Sequence, residues 1–265
     1  AKDKQRVVIG GSHGKTSITA MILHVLHALE KDVDYMVGAQ LEGFDCMVRL
    51  TEAAPVAVFE GDEYLSSPID RRPKFHLYRP HIAVLSGIAW DHINVFPTFE
   101  NYLDQFREFI DLIEAGGTLI YCSEDEALNR MVAEKGQGLN LKAYGIHPHR
   151  IENGTTILQT DFGEEQPVAI FGEHNLMNLN AARLVCSELG VSDDQFYHAI
   201  ADFTGASKRL EKIASNEQSV VYKDFAHSPS KLKATAEAVH KQFPDRKLVA
   251  CIELHTFSSL NKDFL

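Results

Sequence analysis

Lys15 and Thr16 follow directly on Gly10-Gly11-Ser12-His13-Gly14, and residues of those types in that order suit the handling of phosphate. A lysine so placed reaches terminal phosphates, and the threonine hydroxyl ligates the Mg²⁺ that accompanies them. Such chemistry needs a particular mounting. Val7-Val8-Ile9 reads as a buried strand and the two glycines after it as a tight turn. Gly14-Lys15-Thr16 then opens a helix with Ile18, Met21, Ile22, Val25, Leu26 and Leu29 on one face. The first N–H groups of a helix lack intrahelical partners and point at an anion, and the helix dipole adds to the attraction. Gly11, Ser12, His13, Gly14, Lys15 and Thr16 are therefore the candidate phosphate cradle. Ile9 stands where the first Gly of the strict G-x-x-x-x-G-K-[ST] pattern belongs, and an ordinary strand-to-helix turn is the competing reading.

Four further constellations carry chemistry. Glu60-Gly61-Asp62-Glu63 follows the apolar run Val56-Ala57-Val58-Phe59, at the strand end where open α/β sheets bind ligands. Glu60 there is a candidate Mg²⁺ ligand, although an acidic triplet by itself is also a common solvated turn. His92, in Trp90-Asp91-His92, can ligate a metal or hydrogen-bond a substrate carboxylate, or be a plain loop histidine. Asn175 and Asn178 stand three apart on a predicted first helical turn, and their carboxamides match the N6/N7 edge of adenine. An N-cap role would explain Asn175 but not Asn178. Arg209 at a predicted junction can neutralise a γ-phosphate, and Asp224 and His227 lie at a strand-to-helix turn; surface pairing and helix capping are the alternatives for Arg209 and Asp224.

The elements that must position these residues alternate. Val56–Phe59, Ile82–Leu85 and Thr118–Tyr121 are continuous apolar runs of the kind buried on both faces of a parallel sheet, with a helical pattern over Phe99–Glu114 between the last two. From about Lys142 to Phe171 the pattern becomes strand- and turn-rich, with Asn153-Gly154 a hairpin turn, and two helices follow over Asn175–Leu189 and Asp193–Phe203. After Gly205-Ala206-Ser207 a second unit reads as a βαβ: strand Val220–Tyr222, helix Pro229–Phe243, strand Leu248–Ile252. The expected fold class is α/β, a mostly parallel sheet flanked by helices plus a partial Rossmann-like C-terminal unit, divided at 1–207 and 208–265. So short a second unit reads as the start of a domain, and the chain as a fragment.

A formal charge of −11 argues against general nucleic-acid binding, which needs a basic stripe. No apolar run approaches the ~20 residues of a membrane helix, and the polar first residues do not form a signal peptide. Cys46, Cys122, Cys186 and Cys251 form no C-x-x-C pair and read as reduced core thiols, so a cytoplasmic setting is expected. Nothing in the sequence speaks to oligomeric state.

Taken in order, these sites resemble the Mur ligase family, whose members form amide bonds with ATP in peptidoglycan assembly. Gly11–Thr16 is similar to the family's G-T-x-G-K-T loop, Glu60–Glu63 to E-A-D-E, and Asp91-His92 to D-H-x-D. Gly172-Glu173-His174-Asn175 with Asn178 is similar to G-x-H-N-x-x-N, and Asp224–Pro229 to D-Y-A-H-H-P. A finer resemblance, Asp70-Arg71-Arg72-Pro73-Lys74-Phe75 with Tyr78-Arg79-Pro80, points to the murein-recycling branch that joins UDP-N-acetylmuramate to L-alanyl-γ-D-glutamyl-meso-diaminopimelate. The L-alanine-adding branch is the alternative within the family. A folylpolyglutamate-type ligase and a non-enzymatic nucleotide-binding module stand further off.

The resemblance implies ATP and Mg²⁺ as cofactors and small molecules as partners, with no nucleic acid and no membrane. It implies that Lys15, His92 and Arg209 serve catalysis, that Thr16, Glu60 and His92 place metal, and that Asn175, Asn178, Arg209 and Asp224 hold nucleotide. His92 and His227 would contact substrate. The family's T-N-I-E is here Ser86-Gly87-Ile88-Ala89, its Asp after D-H-x is Asn94, and the second His of H-H-P is Ser228. The family's N-terminal UDP-binding domain is expected to be missing from this stretch.

Overall fold

The structure, a computed structural model, describes residues 3–41, 43–90, 95–160, 163–206, 209–226 and 229–253. A seven-stranded sheet organises it, built from β1 (Gln5–Gly10), β2 (Val33–Met36), β3 (Val48–Arg49), β4 (Val56–Glu60), β5 (Ile82–Leu85), β6 (Thr118–Cys122) and β7 (Asn140–Tyr144). The spatial order is β3-β2-β4-β1-β5-β6-β7, and every pair is parallel except β2–β3. Val7–Ile9 and Ile82–Leu85 are buried throughout, as continuous β-branched runs must be when helices cover both faces.

The helices fall into two groups. α1 (Lys15–Ala28) packs with α4 (Glu173–Glu188) and α5 (Asp193–Ile200), while α2 (Phe99–Asp111) packs with α3 (Glu126–Lys135). The chain leaves β1 in one direction through α1 and later passes from β5 to β6 in the other, so right-handed crossovers place the groups on opposite faces. α1 differs from its expected single apolar face. Thr16 to Leu23, with Val25 and Leu26, are all buried, because α4 and α5 cover the side turned away from the sheet. α2 keeps one face, burying Tyr102, Leu103, Phe106, Phe109 and Ile110, and the Thr98 hydroxyl caps it by accepting from the Asn101 N–H at 3.2 Å.

β8 (His149–Glu152), β9 (Thr155–Gln159) and β10 (Glu165–Val168) form an antiparallel sheet beside this layer. Asn153 and Gly154 link β8 to β9 with φ of 50° and 75°, the two left-handed positions that a tight hairpin turn demands.

The C-terminal segment departs from expectation. β11 (Glu211–Ser215) and β12 (Val220–Lys223) pair antiparallel, and α6 (Pro229–Gln242) follows. Leu248–Ile252 is no strand. Leu248, Val249 and Ile252 are exposed, and a ladder cannot form where no neighbour receives its N–H and C=O groups. The parallel Rossmann-like pairing is therefore not found among the described residues. This segment rests on the rest of the chain through Phe171, Leu210 and Ala238, a Gln242 hydrogen bond to the Gly154 carbonyl at 2.7 Å, and a Lys241–Glu173 ion pair at 2.7 Å.

Two of the four cysteines, Cys122 and Cys186, are buried as expected, whereas Cys46 and Cys251 are exposed and so are not core thiols. Among the described residues, no helix is long and apolar enough to cross a membrane.

Candidate functional site

Register assembles the site. β1 lies between β4 and β5, with Ile9 opposite Glu60 and Gly10 opposite Leu85, so the loops after all three strands emerge side by side. That is the carboxyl edge at which strand order reverses, the crevice in which open α/β sheets bind ligands.

Gly11 has φ of 122°, and a Cβ there would stand 2.5 Å from Ser86 Oγ and 2.8 Å from the Ser86 backbone N, so only glycine fits. Gly14 caps α1 with φ of 77°. The helix has no side-chain cap and no acidic residue in its first turn, so its leading N–H groups face the crevice without a competing anion of their own. The segment after β5 braces the loop. Ser12 donates its N–H to the Gly87 carbonyl at 2.9 Å, and its hydroxyl oxygen accepts from the Ala89 N–H at 3.1 Å. The Ser86 hydroxyl sits between the carbonyls of Gly10 and His13. Asp125, the cap of α3, accepts from Ile88 N–H at 2.8 Å and holds the bracing segment in turn. The Gly87 departure has a backbone reason, since its φ of 128° suits no side chain.

Lys15 turns inward. Its Nζ donates to Glu63 Oε1 and Oε2 at 2.8 and 2.7 Å and to the Gly11 carbonyl at 2.6 Å. Thr16 donates its hydroxyl to Glu60 Oε1 at 2.8 Å, and Glu60 Oε2 accepts from the Gly38 N–H at 2.7 Å. Cis ligands of an octahedral Mg²⁺, bound at 2.0–2.1 Å, lie about 2.9 Å apart, so these two oxygens present one edge of such a shell. The residues present thus fit the ion, which would take its other ligands from phosphate and water. Among the described residues no three His, Cys, Asp or Glu side chains converge as a metal cage. Asp62 pairs with Lys74 at 2.7 Å. Burial pushes its carboxyl up, but hydrogen bonds from Lys74 and the Tyr64 N–H outweigh that and lower it overall, keeping it ionised.

Asn178 sits against the cradle: a Cβ on Gly14 would lie within 3.0 Å of its Oδ1. Asn175 is the third residue of α4 rather than its cap, which is Gly172, and its Nδ2 donates to the Phe171 carbonyl at 3.0 Å. It lines a crevice with Ser17, Met21, Phe171, Phe203 and Arg209 whose volume is about 20 Å³, room for a water rather than a purine. Arg209 stands with its guanidinium 5.1 Å from the centre of the Phe225 ring. The Asp224 carboxylate accepts from the Leu210 N–H at 3.0 Å and the Thr235 hydroxyl at 2.7 Å. Beside it, burial pushes His174 down against the pull of Asp224 and Glu173. The structure therefore brings Gly11, Ser12, His13, Gly14, Lys15, Thr16, Glu60 and Asn178 together, with Asn175 and Arg209 at an adjoining crevice. His92, His227, Asn94 and Ser228 lie outside the described residues. Sequence reasoning gave little weight to Glu63 and none to Gly38 or Asp125. Only Glu63 carried a signal, its place in an acidic run at a strand end.

The sequence matches the Mur ligase middle domain over residues 9–186. It is 29% identical over 270 residues to the UDP-N-acetylmuramate–L-alanine ligase of Caldanaerobacter subterraneus subsp. tengcongensis, covering 97% of this chain and 56% of that protein. The chain thus spans about half the length of the curated relatives it matches. Among solved structures, the UDP-N-acetylmuramate:L-alanyl-γ-D-glutamyl-meso-diaminopimelate ligase of Neisseria meningitides superposes with a TM-score of 0.68 at 24% identity, over 76% of this chain and 67% of that one. The MurF ligase of Thermotoga maritima, solved in complex with ADP, gives 0.69 at 18% identity, over 89% and 56%. These structural likenesses concern fold. The matched stretch runs from the end of β1 through the rest of the sheet, the cradle and nearly all of α4, and on that ground the chain belongs to the Mur ligase family.

Proposed function

We propose that this chain is the nucleotide-binding part of an ATP-dependent ligase that forms an amide bond on a muramyl nucleotide. The observation that carries this reading is the Thr16–Glu60 contact at 2.8 Å beside an uncapped helix N-terminus: one edge of a cation shell next to a phosphate cradle. The reaction would begin with attack of the UDP-N-acetylmuramate lactyl carboxylate on the γ-phosphate of ATP, giving an acyl phosphate and ADP. The incoming amine would then displace phosphate. In that sequence the main-chain donors of residues 11–16, apart from the Ser12 N–H that braces the loop, hold the phosphates, and Lys15 faces charge that develops on the transferred group. Thr16 and Glu60 would hold Mg²⁺, which neutralises phosphate charge when bound. We assign His92 to metal and substrate, Asn178 and Asn175 to adenine, Arg209 and Asp224 to nucleotide, and His227 to substrate. Residues 1–207 form the ATP-binding unit in this reading and 208–265 the start of the next. The crevice beside Asn175 holds about 20 Å³, so a purine enters only if Phe203 and Arg209, which line it, move outward.

For the amine we propose the tripeptide L-alanyl-γ-D-glutamyl-meso-diaminopimelate. The support is the turn closed by the Leu65–Pro73 bridge, where Ser66 N–H bonds the Arg72 carbonyl at 2.9 Å and Arg72 closes on Asp70 at 2.8 Å, leaving Arg71 exposed. L-alanine is the second reading, favoured by the curated relatives named for it. The test is phosphate release by the intact protein given ATP, Mg²⁺ and UDP-N-acetylmuramate, with tripeptide or L-alanine in parallel. Tripeptide-dependent release that Lys15→Ala abolishes is expected. Release with L-alanine alone reverses the amine assignment, and turnover unaffected by Lys15→Ala overturns the role of the cradle.

A further inference from the structure

Asp125 lies outside the cradle yet is tied to it. Among the described residues, the hydrogen bonds of Ser86–Ala89 run to Gly10, Ser12 and His13 on one side and to Asp125 on the other. That segment grips Ser12 twice, through the Gly87 carbonyl and the Ala89 N–H, and Ile88 between them donates its own N–H to Asp125 Oδ2 at 2.8 Å. The other oxygen, Oδ1, accepts from the Leu128 N–H at 3.0 Å and starts α3. One carboxylate thus joins two main chains, and hydrogen bonds from N–H groups to a carboxylate are among the stronger ones. Gly87, which stands where the family has Asn, keeps the space between them clear. A Cβ there would lie 3.5 Å from Asp125 Oδ2 and 3.7 Å from Ser12 Oγ.

The anchor is itself fixed. Asp125 follows β6, the strand between β5 and β7, and Ser123 closes that strand end by donating its N–H and its hydroxyl to the Tyr144 carbonyl at 2.8 and 2.9 Å. Asn129 Nδ2 returns to the Ser123 carbonyl at 2.8 Å, and Leu128, Met131 and Val132 bury the inner face of α3. A helix cap needs one oxygen, and serine would serve α3 as well as aspartate. The second oxygen, aimed at Ile88, adds nothing to α3 and leads only to the loop. A loop whose N–H groups are already in place when phosphate arrives binds more tightly, because ordering left to the moment of binding subtracts from affinity.

We propose that Asp125 is a positioning residue for nucleotide, holding Ile88 so that residues 86–89 keep Ser12 and the loop in the shape that receives phosphate. The inference rests on the nucleotide reading of the cradle. Its test is ADP affinity of the intact protein by titration calorimetry in Mg²⁺, beside ligand-free thermal melts, for wild type, Asp125→Ser, Asp125→Asn and Met131→Ala. Asp125→Ser keeps an oxygen for the Leu128 N–H but has no second one for Ile88, so ADP binds about tenfold more weakly while the melt stays near that of wild type. Met131→Ala opens a cavity under α3 without touching the brace, so the melt falls while ADP affinity of the folded protein stays within about twofold. A merely structural role would make affinity follow the melt. ADP bound by Asp125→Ser within about twofold of wild type, or weakened as much in Met131→Ala as in Asp125→Ser, therefore overturns the proposal. Should Asp125→Ser not fold, Asp125→Asn decides on the same terms: its oxygen takes the cap, and its Nδ2 then faces the Ile88 N–H, a donor opposite a donor. Wild type that shows no ADP binding defeats the nucleotide reading itself, a separate outcome.

Discussion

Gly14→Ala is a sharp test of how the loop is built. Gly14 holds φ of 77° at the cap of α1, and a Cβ there meets Asn178 Oδ1 at under 3.0 Å. A left-handed alanine costs about 1–2 kcal/mol. Rotating a buried Asn178 carboxamide out of its well adds about 0.5–1.5 kcal/mol. The lower entropy of the unfolded alanine chain returns about 0.4–1 kcal/mol. The net expectation is a loss of about 2 kcal/mol in urea unfolding at an unchanged m-value. The two native-state terms can be separated. In an Asn178→Ala background the carboxamide is gone, so Gly14→Ala should cost about 1 kcal/mol less than it does alone. ADP affinity falls in the single variant, because the displaced Asn178 and the reoriented first N–H groups belong to the same cradle. If Gly14→Ala is as stable as wild type within about 0.5 kcal/mol, the cap does not demand glycine. If the two substitutions are additive, the Gly14–Asn178 approach is not a constraint, and the link from α4 to the phosphate loop fails with it.

Two further outcomes follow from burial. Burial pushes His76 below its usual range, against the pull of Glu108 and with a small push from Arg72, and its Nε2–H donates to the Gln105 carbonyl at 2.7 Å. A histidine held neutral in the folded state gives stability that is complete above about pH 6.5 and is lost as pH falls through its lowered value, so acidification from 7 to 5 destabilises. Thermal melts should show a smaller drop over that interval for His76→Gln, and an identical pH profile would refute the assignment. A thiol-reactive probe on the native protein should modify Cys46 and Cys251 and spare Cys122 and Cys186 until denaturant is added, as peptide mass mapping would record; burial also pushes Cys186 far up, away from the reactive thiolate. Native labelling of Cys186 would contradict its place on the buried face of α4.

What the sequence disclosed of the fold depended on whether an element's signal was local. β4, β5 and β6 were legible because runs such as Ile82-Ala83-Val84-Leu85 have no helical reading at that length. The hairpin at Asn153-Gly154 was legible because two left-handed positions admit few residue pairs. β2 and β3 were not, since Val33–Met36 includes a buried Asp34 whose charge is answered by Lys4 at 2.6 Å and Thr51 at 2.8 Å, partners far off in sequence. Leu248–Ile252 failed in the opposite direction. Its composition is that of a strand, but strand formation is decided by a neighbour, and none of the described strands pairs with it.

The site divides along a similar line. Side chains whose chemistry is intrinsic, namely Lys15, Thr16, Glu60 and Asn178, could be read from type and spacing, and the structure gathers them at the carboxyl edge of the sheet. The groups that hold them in place are mostly main-chain atoms, which no motif records. Where the family has T-N-I-E, this chain has Ser86-Gly87-Ile88-Ala89, yet the bracing is done by the Gly87 carbonyl and the Ala89 and Ile88 N–H groups. Losing an Asn and a Glu there removes no contact of the kind the loop uses, and a glycine gains the φ of 128° that the turn requires. The same reasoning accounts for a polyanion site in a chain of net charge −11. Attraction at the cradle comes from oriented N–H groups within a few ångströms, and at 0.15 M ionic strength charges more than about 8 Å away are screened. Global charge thus says little about affinity for phosphate, which the oriented N–H groups at the start of α1 decide.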